Sequence, residues 1–224
     1  GHNITMTPYH LSSNNPVMRL DPDGMNDYFT MDGEYLGSDD SDDDFVRIIS
    51  RDAWNDIQPL EEGQEVHSGV GLYESKDLSD ASGEMSDESF LNVLSHYNQS
   101  DWDLKVDNAL SGMKFSVEIM SDSREVVFEG IKVGRDFLDR NEISDHGSEL
   151  TSLFVHEIKH GSDYIESGRN YTEYNSVPRV ERERRAYTEQ VNHSSWNDVR
   201  PALKNAIRNK ALEKYGFDIN TFRR

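Results

Sequence analysis

The sequence has no cysteine among its 224 residues. This excludes a disulfide framework and thiolate ligands, so any zinc site here must be assembled from imidazole and carboxylate. Long apolar runs are also missing. None approaches the ~20 residues that a membrane-spanning helix needs, and membrane insertion is not expected. Positive charge is scarce in the first two-thirds: residues 1–150 carry 10 Lys/Arg against 33 Asp/Glu, while residues 151–224 carry 13 against 10, within an overall formal charge of -20. Such a surface repels phosphate, so nucleic acid is not an expected partner unless the C-terminal arginines gather into one patch. Apolar residues amount to only 34% and the mean hydropathy is -0.81. Aromatics nevertheless reach 10%, with three Trp, which a disordered chain would not carry. One core with generous polar loops is the expectation.

What is present is read from the N-terminus. The opening Gly1-His2-Asn3 has the look of a tag remnant on a fragment. Asp32-Gly33 between Tyr28-Phe29 and Tyr35-Leu36 predicts a β-hairpin. The acidic run from Asp39 to Asp44 lacks the spacing and the central Gly of a calcium loop, and predicts a solvated segment. Phe45-Val46-Arg47-Ile48-Ile49 predicts a strand, and a boundary is placed near residue 50, dividing the chain into 1–50 and 51–224. Residues 61–83 read as loop; Ser86, followed by the spaced apolars Phe90, Leu91, Val93, Leu94 and Tyr97, predicts a capped helix. His67 and His96 are isolated and read as surface or internally satisfied histidines. Lys114 to Met120 and Glu125 to Val133 form two strands around Ser121-Asp122-Ser123.

The stretch with chemistry in it is His156-Glu157-Ile158-Lys159-His160. On a helix, this spacing puts two imidazoles one turn apart with a carboxylate beside them, which is a pair of Zn2+ ligands with a general base. Ser144 or Asp145 is expected to cap that helix, which should run to about Ser167 with Gly168 beyond it. Leu150, Phe154, Ile158 and Ile165 form its apolar stripe, and the histidines face elsewhere. A third ligand is required, and Asp163, Glu166, Glu173, Glu181, Glu183, Glu189 and His193 all lie downstream. A helix starting after Pro178 would put Glu183, Ala186, Tyr187 and Gln190 on one face. The segment from Ser194 to Tyr215 is a further amphipathic helix that reads as core packing, with Trp196, Val199, Leu203, Ile207 and Leu212 at helical spacing.

His156-Glu157-x-x-His160 followed by Glu183-x-x-Ala186 resembles the two metal helices of gluzincin-type zinc peptidases. The metzincin pattern fails, because Asp163 and Glu166 occupy its Gly and His positions. The resemblance implies an α+β, zincin-like domain with a small antiparallel sheet and an active-site helix, preceded by a short β-hairpin segment. It also implies metal ligands His156, His160 and Glu183, with Glu181 as the runner-up, Glu157 as catalytic base, and an edge strand beside the cleft for an extended protein or peptide substrate. Tyr171, Tyr174, Tyr187 and His193 are candidates for stabilising the oxyanion. The run Asn14-Asn15-Pro16-Val17-Met18-Arg19-Leu20-Asp21-Pro22-Asp23-Gly24 resembles the end of the repeat-associated core of Rhs/YD-repeat proteins. What that implies is a secreted or delivered effector at the C-terminus of a larger protein, countered by a cognate immunity protein. A metal-binding domain without catalysis and a zinc hydrolase of a non-peptide substrate are the competing expectations.

Overall fold

The computed structural model describes residues 26–39, 44–57, 75–120, 126–135 and 145–222. The motif at residues 14–24, most of the acidic run (40–43), His67 and the turn at residues 121–123 lie outside them. The architecture is mixed α/β. No helix among the described residues is long and apolar enough to cross a membrane.

The hairpin forms where Asp32-Gly33 predicts it: β1 (Asp27–Phe29) pairs antiparallel with β2 (Tyr35–Ser38). Gly33 adopts φ +80°, and a Cβ there would lie 2.2 Å from the Ser89 carbonyl oxygen, so both conformation and space demand glycine. β3 (Val46–Ile48) lies parallel to β1. Ser50 Oγ accepts the Ala53 N–H at the start of helix α1 (Arg51–Ile57), whose Trp54 packs on Tyr28. Part of the segment expected to be loop is ordered as β4 (Lys76–Asp77), antiparallel to β3, and the short helix α2 (Leu78–Ser82). Neither is long enough to show a period, and Leu78 and Ala81 are buried by joining an apolar cluster with residues far away in the chain, Val46 and Ile48 of β3 among them.

Helix α3 (Asp87–Tyr97) is capped as expected, with Ser86 Oγ accepting the Ser89 N–H. His96 on this helix is an internally satisfied histidine, stacked on Tyr35 with Nε2 3.7 Å from Asp27 Oδ2. A second, three-stranded sheet follows. Strands β6 (Met113–Ile119) and β7 (Val126–Val133) form the predicted antiparallel pair, but β5 (Asp103–Val106) adds parallel to β7, so this sheet is mixed rather than antiparallel. The four residues of β5 are too few for alternation to stand out in the sequence. β6 is left at the edge, facing the next helix.

That helix, α4 (Gly147–Glu166), is the longest element. Of the two cap candidates, Ser144 lies outside the described residues, and Asp145 does not cap the helix: its carboxylate instead accepts the Ser79 N–H and hydroxyl in α2. Asp44, 104 residues away, receives the Ser148 N–H at 3.0 Å. A local pattern cannot reveal a cap supplied by tertiary contact. The acidic run therefore has its two ends buried, because Asp39 likewise accepts the Asn26 N–H and the Tyr28 hydroxyl.

Leu150, Phe154 and Tyr164 of α4 join a large apolar cluster with Phe29, Val46, Phe90, Leu94, Phe115 and Ile131. Residues on both sides of position 50 thus share one core. Ile165, expected on the buried stripe, is 47% exposed; Gly161 and Tyr164 continue the stripe instead, with Trp102 seated where a Cβ of residue 161 would be. After α5 (Tyr171–Ser176) come α6 (Arg179–Asn192) and α7 (Pro201–Tyr215). The helix expected over Ser194 to Tyr215 is thus broken into a 3-10 turn (Ser194–Asn197) and α7. Helix α6, this connection and α7 build a second cluster from Tyr187, Val191, Trp196, Val199, Leu203 and Ile207, and Leu153 of α4 touches both clusters.

The entry to α7 is tied to α4 by an ion pair. Glu149 is fully buried and accepts from Arg200 through its backbone N–H and its guanidinium Nε, at 3.2 and 3.0 Å. Arg200→Ala removes the cation facing this carboxylate. It should lower the unfolding free energy by about 2–3 kcal/mol, less than for a fully buried pair because Arg200 is partly solvated. Urea denaturation followed by circular dichroism measures this, and a loss below about 0.5 kcal/mol, the range of ordinary surface substitutions, would contradict the structural role.

Candidate metal centre

Helix α4 carries His156 and His160 one turn apart on the face turned towards α6, with ring centroids 5.1 Å apart and planes at 77°. Both are buried to about nine-tenths. Helix α6 begins directly after Pro178, as expected, and crosses α4 through the predicted face: Ala186, Tyr187 and Gln190 are all buried. Ala186, with no accessible surface, lets the two backbones approach, and Gln190 Nε2 donates to Ser152 Oγ across the crossing at 3.1 Å. This contact brings Glu183 to the histidines. Its Oε2 lies 3.4 Å from His156 Nε2 and 3.8 Å from His160 Nε2.

One ligand atom from each of His156, His160 and Glu183 lies within 4.8 Å of the others. Bond lengths near 2.1 Å in a tetrahedral zinc site imply ligand–ligand separations of about 3.4 Å, so only small side-chain adjustments separate this arrangement from a bound geometry. The donor set of two nitrogens and one oxygen also fits zinc, and three protein ligands leave a fourth position on the cavity side. His156 Nδ1 is buried with no hydrogen-bond partner among the described residues, while His160 Nδ1 is 3.5 Å from the Tyr174 hydroxyl.

The other candidates are placed elsewhere. Glu181 is held by Arg184 and Arg185 on the outer side of α6, at 2.9 and 3.2 Å. Asp163 is buried beside Lys159, with Nζ at 2.6 Å. His193 and Glu189 line a separate cavity with Val155 and Ile158, on another side of α4. Among the described residues, the three-residue group is the one that gathers as a metal site.

Electrostatics reinforce the grouping. Burial works to raise the Glu183 pKa, but hydrogen bonds and charge from His156 and His160 outweigh it and hold the carboxyl far below the usual range. Burial lowers the His160 pKa, and the acceptor Glu183 together with the charges of Glu157, Glu183 and Asp163 more than reverses this. Glu183 and His160 thus stabilise each other's charged form, and a cation between them would take over the role of the proton on the imidazole.

Glu157 points to a different partner. Its Oε2 accepts the Phe115 N–H of edge strand β6 at 2.7 Å, and Oε1 accepts no hydrogen bond among the described residues. Glu157, the two histidines and Glu183 all line a cavity of about 420 Å³ between β6, α5, α6 and α7. Tyr171, Tyr174 and Tyr215 line it too, whereas Tyr187 is packed behind His156 with ring centroids 4.4 Å apart. Burial pushes the Tyr174 phenol up to about 12, and burial with the Glu183 charge raises that of Tyr215, so both remain proton donors at neutral pH. Tyr215, Lys210 and Lys214 were invisible as site residues in the sequence. They lie in the last turns of a helix whose apolar spacing reads as packing, and only the i, i+4 spacing of the two lysines hinted at a second face.

No protein-family model, curated protein or solved structure matches this chain. The assignment therefore stands on geometry. Glu183→Gln should weaken zinc binding about 100-fold or more, as should His156→Ala, whereas Glu181→Gln should leave it unchanged. Isothermal titration and metal analysis after dialysis measure these effects. Equal losses for Glu181→Gln and Glu183→Gln would refute the ligand set.

Proposed function

We propose that the chain is a zinc-dependent peptide hydrolase of gluzincin type. The observation that supports this most strongly is a three-ligand N, N, O group at the wall of an open cavity, with a second carboxylate, Glu157, beside the ligands but engaged with a strand instead. A structural site would be closed by a fourth protein ligand. Zinc bound there would acidify a water molecule and polarise a carbonyl oxygen.

Each remaining task falls to a residue of the chain. Glu157 accepts the proton from the attacking water on its open oxygen and delivers it to the leaving amine, and the Phe115 N–H fixes its orientation throughout. Tyr174 and Tyr215 supply hydroxyl donors for charge developing on the carbonyl oxygen. Tyr174 also meets His160 Nδ1, where it orients the imidazole.

A peptide is favoured as substrate class by β6. This edge strand pairs with β7 on one side only among the described residues, and its Lys114 to Val117 stretch lines the cavity. The Phe115 N–H is directed away from β7 towards Glu157, and strand alternation puts the backbone groups of Met113 and Val117 on that same open side. An extended segment can add there by main-chain pairing. The delivery setting, a secreted effector opposed by an immunity protein, rests on the motif at residues 14–24 alone.

Glu157→Gln should keep its zinc and lose about 10²–10⁴-fold in hydrolysis of an unstructured protein substrate, because it removes the base and leaves the ligands in place. Zinc content and cleavage of a denatured casein substrate are measured on the same preparation. Undiminished cleavage with full zinc would end the base assignment, and no cleavage by the zinc-loaded parent protein on any peptide library would end the hydrolase reading.

A further inference from the structure

The described structure offers eight lysines, and their partners divide them sharply. Lys76, Lys105, Lys132 and Lys159 each face a carboxylate, and Lys204 donates to the Asn197 carbonyl while lying over Trp196. The remaining three, Lys114, Lys210 and Lys214, are exposed and face no carboxylate within ion-pair distance among the described residues. All three line the cavity of the candidate metal centre. In a chain with 43 acidic residues against 23 basic ones, unpaired lysines would be the last to persist on a surface. Their confinement to one cleft is therefore a feature of that cleft.

The placement adds direction. Lys114 projects from edge strand β6, and Lys210 and Lys214 from α7, so the cations come from two different walls. The i, i+4 spacing puts the two α7 lysines on one side of the helix. Lys210 also lines a smaller neighbouring cavity with Met113, His156, Glu157 and Ile207, which places it at the junction of two recesses either side of the Glu157 wall.

The remaining charges do not neutralise them. Of the two acids lining the main cavity, Glu183 is committed to His156 and His160, and Glu157 to the Phe115 N–H. Arg182 is used internally, donating to the carbonyls of Tyr174 and Val177. Arg179 reaches Glu183 Oε1 and the Tyr215 hydroxyl. Five cationic side chains against two carboxylates make this cleft locally positive, in a chain whose formal charge is -20. Low-dielectric walls focus such a field on whatever enters.

We infer that Lys114, Lys210 and Lys214 determine specificity, selecting peptide segments with Asp or Glu side chains on either side of the bond brought to the metal centre. The inference rests on the peptide-hydrolysis reading for where the bond lies, and on the lysine placement for the charge it selects. A bound chain lying along β6 has side chains that alternate between the sheet faces and come within reach of both walls. The overall acidity of the protein acts against acidic ligands at long range, so a preference for them has to come from this local field.

Binding is tested with the zinc-loaded Glu157→Gln protein and three fluorescent peptides, read by anisotropy at low salt. The first has Glu on both sides of the central bond, the second has Gln at those positions, and both are acetylated and amidated. The third is the Gln peptide with a free C-terminal carboxylate. The Glu peptide should bind about tenfold more tightly than the other two, and added salt should shrink the difference. Lys114→Gln, Lys210→Gln and Lys214→Gln together should abolish the preference without altering circular dichroism or zinc content, and each alone should reduce it. Equal binding of the Glu and Gln peptides, absence of binding by either, or a preference that survives the triple replacement would overturn the inference. Tightest binding of the free-terminus peptide would overturn it too, by making the chain end the group recognised. Acid-selective binding without cleavage by the zinc-loaded parent protein would remove the hydrolase reading and leave this one standing; cleavage indifferent to the Glu-to-Gln exchange would do the reverse.

Discussion

The contact between α6 and α4 at Ala186 is the constraint on which the site depends. Two imidazoles one turn apart can be provided by a single helix, but a third ligand from 23 residues beyond His160 needs a second helix at close range and in one register. Ala186, fully buried, permits the approach, and the hydrogen bond from Gln190 to Ser152 sets the register. Tyr187, one residue on, supports the back of the His156 ring. A larger side chain at the crossing would move Glu183 away from both histidines, with the loss of a geometry that tolerates errors of well under an ångström.

Helix α4 can hold this position because two apolar clusters grip it from different sides. Leu150, Phe154 and Tyr164 anchor it to the sheets and α3, while Leu153 reaches the cluster built by α6 and α7. The polar anchors are equally distributed. Asp44 closes its N-terminus, Arg200 meets Glu149 in the same first turn, and the Phe115 N–H donates to Glu157 midway. Each comes from a distant part of the chain, so the helix is positioned by the whole fold. The charge imbalance has a structural consequence here: some of the abundant acids are consumed as buried hydrogen-bond acceptors, which need donors but not cations. Asp27, Asp39, Asp44 and Asp145 all serve in this way.

The cleft combines opposite electrical tasks. Its floor gathers carboxylate and imidazole in a group that could hold a cation, and its rim presents lysines to solvent. These two arrangements coexist because the acids are bonded and partly buried while the lysines are long and hydrated. The edge strand β6 belongs to both, contributing a backbone donor to the floor and Lys114 to the rim.

Elements with strong local signals were legible in advance. The Asp32-Gly33 hairpin, the Ser86-capped helix, the β6–β7 pair and the start of α6 after Pro178 each depend on turn chemistry, caps or periodicity within a few residues. The His156-Glu157-x-x-His160 spacing belongs to the same class, since helical geometry alone puts both imidazoles on one face. The face shared by Glu183 and Ala186 was legible too, but which of several downstream acids meets the histidines was settled by a helix crossing, and Glu181 was drawn off by its own arginines. Local sequence determined the pair of histidines, their neighbouring carboxylate and the elements that carry them, because these follow from backbone geometry over one or two turns. Tertiary structure alone decided the parallel addition of β5, the cap from Asp44, the exposure of Ile165 and the arrival of Lys210, Lys214 and Tyr215 at the cleft, because each depends on packing between segments that are far apart in the chain.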